Sequence, residues 1–231
     1  MRAFEDRRDA GRQLADRFER YIGQRDVIVL GLPRGGVPVA YEIARRIGAP
    51  LDVLIVRKLG VPGHPEVAMG AIASGGIRVV DQPIADALGV SAKAFESIEQ
   101  RERAELERRE RTFRSGQAPL DVAGKTVVLV DDGLATGASM IAAIEALRTR
   151  QPKRVVAAVP VAPRETCAAL RERTDEMICL LTPTHMTAVG LWYEDFEQTT
   201  DLEVHELLAA AARELPARTA RAAQHSVASP R

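Results

Sequence analysis

The sequence predicts an α/β fold built on a mainly parallel, twisted sheet with helices on both faces. Three observations carry it. Apolar runs at residues 26–32, 126–130, 154–161 and 176–181 are short and nearly uninterrupted, which suits strands buried on both faces. Between them lie stretches with apolar residues at helical spacing, and strand alternating with helix is the mark of a parallel sheet. Finally, two of the runs end in small-residue loops that open onto helical stretches, Leu32-Pro33-Arg34-Gly35-Gly36 and Asp131-Asp132-Gly133-Leu134-Ala135-Thr136-Gly137-Ala138-Ser139. Ligands of such sheets bind beyond the carboxyl ends of the strands.

Each element has its own reason. From residue 8 to 22, Ala10, Leu14, Phe18, Tyr21 and Ile22 recur at helical spacing among charges, and Gly23 ends the helix. Residues 37–47 read as a second helix with Glu42, Arg45 and Arg46 outward, and residues 51–56 as a strand. Gly60, Pro62, Gly63 and Pro65 then suit a segment without a regular ladder, and His64 reads as a loop histidine. Residues 67–73 and 77–80, separated by Ser74-Gly75-Gly76, read as a hairpin. Residues 91–114 form a long, charge-rich helix with the i,i+4 pairs Glu99–Arg103, Glu105–Arg109 and Glu107–Arg111. Its apolar stripe is thin, only Phe95, Ile98, Leu106 and Phe113, so it is either a solvated face or a surface for a partner, with a homodimer as one option. A linker at 116–123 leads into the strand at 126–130, followed by helices at 140–147 and 164–173 and a closing helix at 204–215. Residues 1–215 are thus expected to form a single domain. Residues 216–231, rich in Ala, Arg and Ser, are expected to be a flexible C-terminal tail.

Composition excludes several classes of function. The 231 residues, 46% hydrophobic and 28% charged, are those of an ordinary globular protein. Lys plus Arg equals Asp plus Glu at 32 each, so no global basic field points to nucleic acid. Cys167 and Cys179 lack metal-ligand spacing and read as reduced, buried thiols. No stretch approaches the roughly 18 apolar residues of a membrane span, and the expected location is the cytoplasm. The loop after residue 130 is neither a triphosphatase P-loop, which needs a Lys after its second glycine, nor a G-x-G-x-x-G turn. No G-x-S-x-G elbow suggests a hydrolase.

That loop has a chemistry of its own. A helix N-terminus offers unpaired N–H groups and partial positive charge to an anion, and Gly133 and Gly137 let a phosphate approach the backbone. Thr136 and Ser139 add hydroxyls, while Asp131 and Asp132 can accept from vicinal hydroxyls or hold a hydrated Mg²⁺. The plainer alternative is a βα turn whose aspartates and Thr136 only cap the helix. The whole string, hydrophobics-Asp-Asp-x-x-Ala-Thr-Gly-x-Ser, resembles the phosphoribosyl pyrophosphate (PRPP) signature of the type I phosphoribosyltransferases. The likeness is greatest to members such as the adenine enzymes. Leu-Pro-Arg-Gly-Gly-Val-Pro-Val-Ala, Val-Arg-Lys-Leu-Gly and Trp-Tyr-x-Asp-Phe extend it to a bacterial subgroup of uncharacterised acceptor.

The resemblance implies the family's fold, with a small hood that includes residues 182–201. It also implies a Mg²⁺-dependent transfer of ribose 5-phosphate from PRPP to a nitrogenous acceptor, a nucleobase in most members, with loss of pyrophosphate. Asp131 and Asp132 would take the ribose hydroxyls and, through water, the metal. Ala135, Thr136, Gly137, Ala138 and Ser139 would cradle the 5′-phosphate, and Arg34, Gly35 and Gly36 the pyrophosphate. Arg57 and Lys58 match a pair that in several members leads into a mobile loop over the reacting centre, and would close over the leaving group. Trp192, Tyr193 and Asp195 distantly match the base-binding segment of hypoxanthine-guanine enzymes, the alternative being a hydrophobic plug centred on Trp192. The sequence departs from those enzymes at Ala135, where they carry an aspartate suited to proton transfer. Glu66 and Asp195 are the substitutes in view. A PRPP- or nucleotide-binding regulator of the same fold is the rival reading.

Overall fold

The computed structural model describes residues 3–114 and 118–227, with the side chains of residues 64–67, 82 and 215–227 outside that description. In chain order the strands are β1 Val27–Gly31, β2 Leu51–Val53, β3 Val56–Val61, β4 His64–Ala73, β5 Ile77–Val80, β6 Thr126–Val130, β7 Arg154–Val161 and β8 Glu176–Leu181. The helices are α1 Arg7–Ala15, α2 Gly36–Ile47, α3 Gln82–Ala87, α4 Ala92–Arg114, α5 Ala138–Arg148, α6 Arg164–Arg171 and α7 Asp201–Val227.

Five strands form one parallel sheet in the order β2-β1-β6-β7-β8. Because side chains alternate along a strand, each strand feeds two cores. Val27, Val29, Val128, Val130, Val156 and Ala158 pack under α1 and α2. Ile28, Leu30, Val127, Leu129, Val155 and Ala157 pack under α5 and α6. Burial on both faces is why these strands are unbroken apolar runs. The order reverses between β1 and β6, whose following helices leave to opposite faces, so a crevice opens between their carboxyl ends.

The main sheet follows the sequence closely; the region beside it does not. The run at 51–56 divides at Leu54, whose N–H donates to Gly31 O, while Ile55 N–H donates to Ser74 Oγ and begins a second sheet. That sheet is antiparallel, in the order β3-β4-β5. Residues 57–66, expected to lack a ladder, are instead largely paired: β3 and β4 run from Val56↔Ala73 to Val61↔His64 around a Pro62-Gly63 turn, with register shifts beside Gly60. Gly63, at φ 79°, supplies the left-handed turn residue. Partners far along the chain supply the hydrogen bonds that the local composition argued against.

The stripe on α4 is covered within the chain. Leu106 and Phe113 are buried, and Phe95 and Ile98 half-buried, against β3, β4, α2 and α7. Residues 182–200 form a strap with a short 3₁₀ turn, Val189–Trp192, and a parallel bridge from Tyr193 to Phe4. Helix α7 continues past Leu215, where the sequence reading ended it, as far as Val227; the Ala and Arg of that stretch have high helix propensity. Both thiols are free, with Cys167 buried and Cys179 half-buried. Among the described residues no helix is long and apolar enough to cross a membrane.

Candidate active site

Two loops meet at the reversal between β1 and β6, and their contact sets the site. Leu32 N–H donates to Val130 O at 2.8 Å, holding the loop ends together. A Cβ on Gly36 would lie 2.5 Å from Val130 O, and one on Gly35 would lie 1.9 Å from Asp132 Oδ2. At Gly36, where the neighbour is backbone, only glycine allows this approach, and at Gly35 the missing side chain leaves the Asp132 carboxylate its place.

Asp131 and Asp132 are adjacent and half-buried, and Asp132 N–H donates to Asp131 Oδ1 at 2.9 Å. Burial, and then the charge of Asp132, push the Asp131 carboxyl well above its usual range. Burial also raises Asp132, opposed by Arg7, whose Nε donates to its Oδ2 at 2.7 Å. Arg7 lies with its guanidinium 3.8 Å over the Phe196 ring and donates to Glu197 O at 2.6 Å. Tyr193 donates to the Asp132 carbonyl at 2.5 Å, and burial raises its phenol. Burial and mutual repulsion thus oppose two negative charges here, and one arginine only partly offsets them.

The rest of the second loop opens onto a helix N-terminus. Gly137, at φ 73°, turns the chain into α5, whose first turn has N–H groups without intrahelical acceptors. Thr136 and Ser139 are exposed at this end, and Thr166 Oγ1 donates to Ala135 O at 2.9 Å to hold the loop down.

A cleft of about 650 Å³ lies over Arg34, Gly35 and Asp132. Val189 and Phe196 of the strap form one wall. Arg108, Arg109 and Phe113 of α4 form another, and Asp201 of α7 sits at 3.6 Å from Arg34. Hydrogen bonds from Arg108 and Arg109 hold the Glu105 carboxyl down at about 2. Among the described residues no group of three or more His, Cys, Asp or Glu could hold a metal ion. Two adjacent carboxylates with little counter-charge nonetheless fit a hydrated Mg²⁺, which commonly takes one or two carboxylates and completes its shell with water and phosphate oxygens.

A model of the phosphoribosyl transferase domain matches residues 4–190, a span that includes both loops. The chain belongs to the type I phosphoribosyltransferase family. A putative phosphoribosyl transferase of Mycobacterium tuberculosis is 46% identical over 214 residues, which are 93% of this chain and 48% of that protein. The chain thus spans about half the length of these curated relatives. The crystal structure of TT1426 from Thermus thermophilus superposes with a TM-score of 0.79 at 44% identity, covering 90% of this chain and 98% of that one. The bifunctional protein PyrR of Chloroflexus aurantiacus is 33% identical over 129 residues, 54% of this chain and 65% of that protein.

Within this phosphoribosyltransferase fold, the residues assigned from sequence divide into two groups. Asp131, Asp132, Arg34, Gly35 and Gly36 meet at the crevice, while residues 135–139 lead on to α5 and none of them lines the main cleft. Arg57 and Lys58 lie on β3 and face a second cleft, of about 790 Å³, that shares Ser139. There Arg57 is bound by Glu102 of α4 at 2.8 and 2.5 Å, not poised in a loop over the centre. Tyr193 is in the core, its ring 5.3 Å from Phe4 and 4.9 Å from Phe196. Trp192 is half-buried, and Asp195 is exposed and accepts from Glu197 N–H. Neither Trp192 nor Asp195 lines the main cleft. The Glu66 side chain is outside the described residues. Sequence reasoning missed Arg7, Phe196, Arg108 and Arg109. Phe196 stood inside the flagged segment, but nothing local in the first helix marked Arg7.

Proposed function

We propose that the chain transfers the ribose 5-phosphate of PRPP to a nitrogen of a planar acceptor in the cytoplasm, releasing pyrophosphate. The observation that carries this is the Asp131–Asp132 pair set against the Arg34–Gly36 loop at one end and the N-terminus of α5 at the other. The α5 N–H groups, Thr136 and Ser139 bind the 5′-phosphate. Asp131 and Asp132 accept from the ribose hydroxyls. Their charge stabilises the oxocarbenium character that develops on the ribose, an interaction strongest in the transition state. Arg34 and the glycine N–H groups receive the departing pyrophosphate. Asp131 and Asp132 would hold Mg²⁺ through water, and that ion would neutralise charge on the leaving oxygens. Residues 182–201 serve as the hood over the acceptor, with Phe196 as its aromatic wall.

Substituting Asp131→Asn together with Asp132→Asn is expected to abolish calorimetric binding of Mg²⁺-PRPP while leaving the far-ultraviolet dichroism intact. Undiminished affinity would refute the assignment. Pyrophosphate release with an acceptor supports the transferase; tight PRPP binding without release from any acceptor supports the regulator.

A further inference from the structure

The main cleft holds more cationic groups than PRPP, bound as proposed above, engages. Four arginines line it, Arg7, Arg34, Arg108 and Arg109, against two carboxylates, Asp132 and Asp201. Arg7 is committed to Asp132 and Arg34 lies in the pyrophosphate loop, so Arg108 and Arg109 of α4 are left over. They belong to neither loop. Glu105, behind them on the same helix, takes Nε and one terminal nitrogen of Arg108 but only Nε of Arg109. Guanidinium N–H groups therefore remain for a second acceptor, a geometry suited to a carboxylate. Beside them Phe113 and, from the strap, Phe196 and Val189 offer apolar surface for a flat ring.

The second observation concerns protons. No His, Lys, Glu, Cys or Tyr lines this cleft among the described residues. Its two carboxylates face arginines, Asp132 at 2.7 Å from Arg7 and Asp201 at 3.6 Å from Arg34. The cleft is thus poor in groups that could deprotonate a neutral ring nitrogen.

We infer that the acceptor is a planar nitrogen heterocycle bearing a carboxylate or comparable acidic group, which Arg108 and Arg109 recognise, and whose ring nitrogen attacks with a lone pair already free. This rests on the transferase reading and names its substrate class. The C1–O bond of PRPP breaks with its electron pair leaving on pyrophosphate, the C1–N bond forms from the acceptor lone pair, and no proton has to pass to the protein.

The test measures pyrophosphate release from Mg²⁺-PRPP with matched pairs, a pyridine carboxylate against its amide and a pyrimidine carboxylate against the unsubstituted pyrimidine. Release is expected with an acid and not with its neutral partner. The Arg108→Gln, Arg109→Gln double variant is expected to raise the KM for that acid roughly 10–100-fold, with the Kd for Mg²⁺-PRPP within about twofold of wild type. Arg108→Lys with Arg109→Lys should recover part of the loss through charge alone. Both side chains are partly exposed, so the fold should survive. Preference for the neutral rings overturns the inference. So does an equal loss of PRPP affinity, which would give these arginines to the pyrophosphate, and so does PRPP binding without release from any acid. Failure of the wild type to bind PRPP overturns the transferase reading as well.

Discussion

The crevice between β1 and β6 and the cap of β3, β4, β5 and α4 border the same site but are built in opposite ways. In the crevice, backbone meets backbone: Leu32 on Val130, Gly36 against Val130 O and Asp131 Cα. In the cap, α4 is tied by side-chain ion pairs, Arg57 on Glu102 and Arg78 on Glu99, and carries Arg108 and Arg109 on its own Glu105. The pairs on Glu105, open to water, are each worth about 0–1 kcal/mol, whereas Glu102 is buried. The proposed ribose and phosphate positions thus lie on rigid ground. The arginines around them rest on carboxylates that a phosphate or carboxylate ligand can displace at small net cost.

The largest expected effect tests the rigid side. Gly36→Ala would place a Cβ 2.5 Å from a carbonyl oxygen and 2.9 Å from a Cα. It should lower stability by about 3 kcal/mol in urea unfolding. Gly35→Ala meets the side chain of Asp132 instead, which can swing away. It should cost about 1 kcal/mol in stability while displacing Asp132 from Arg7 and weakening PRPP binding. Equal losses in the two variants would erase the contrast.

A middle-sized effect concerns Asp131. Its carboxyl is raised in the folded chain, so the folded state binds the proton more tightly than the unfolded one. Stability from this group is therefore greatest at low pH and is lost as pH rises from the ordinary aspartate range through the folded value. In metal-free, ligand-free protein, Asp131→Asn should raise the melting temperature at neutral pH, and the gain should vanish toward acid. A lower melting temperature at neutral pH would mean that the aspartate charge is well accommodated without ligand.

The smallest effect sharpens the cap. Glu102 is buried, but Glu102→Gln keeps the shape and an acceptor oxygen and should lower stability by about 1 kcal/mol. By releasing Arg57 it should tighten Mg²⁺-PRPP binding in calorimetry. Unchanged affinity would overturn the expectation that Arg57 closes over the leaving group.

What the sequence made legible follows the same division. The runs at 126–130, 154–161 and 176–181 are strands at those bounds because burial on both faces writes itself into local composition. The turn at 131–139 was legible as a loop opening onto a helix N-terminus because its glycines, hydroxyls and carboxylates are contiguous. The pairing of residues 57–66 was hidden, since β3 takes its hydrogen bonds from β4 against the preference of Gly60, and Pro62 and Gly63, read as loop residues, make only the turn. Arg7 was hidden for a different reason: its partners Asp132 and Glu197 are 125 and 190 positions away. Trp192 drew attention by its size, yet it is Phe196 that reaches the cleft.

The link between Arg7 and Glu197, together with the Phe4–Tyr193 bridge, also bears on the order of assembly. A chain emerging from the ribosome exposes Arg7 early, and Glu197 of the strap that receives it follows only 190 positions later. The sheet can pack while the roof of its cleft is still unmade, because contacts so distant in sequence close late. Translation stopped before the strap would leave an ordered sheet with half a pocket, so ligand binding would report on docking of the strap rather than on folding of the core.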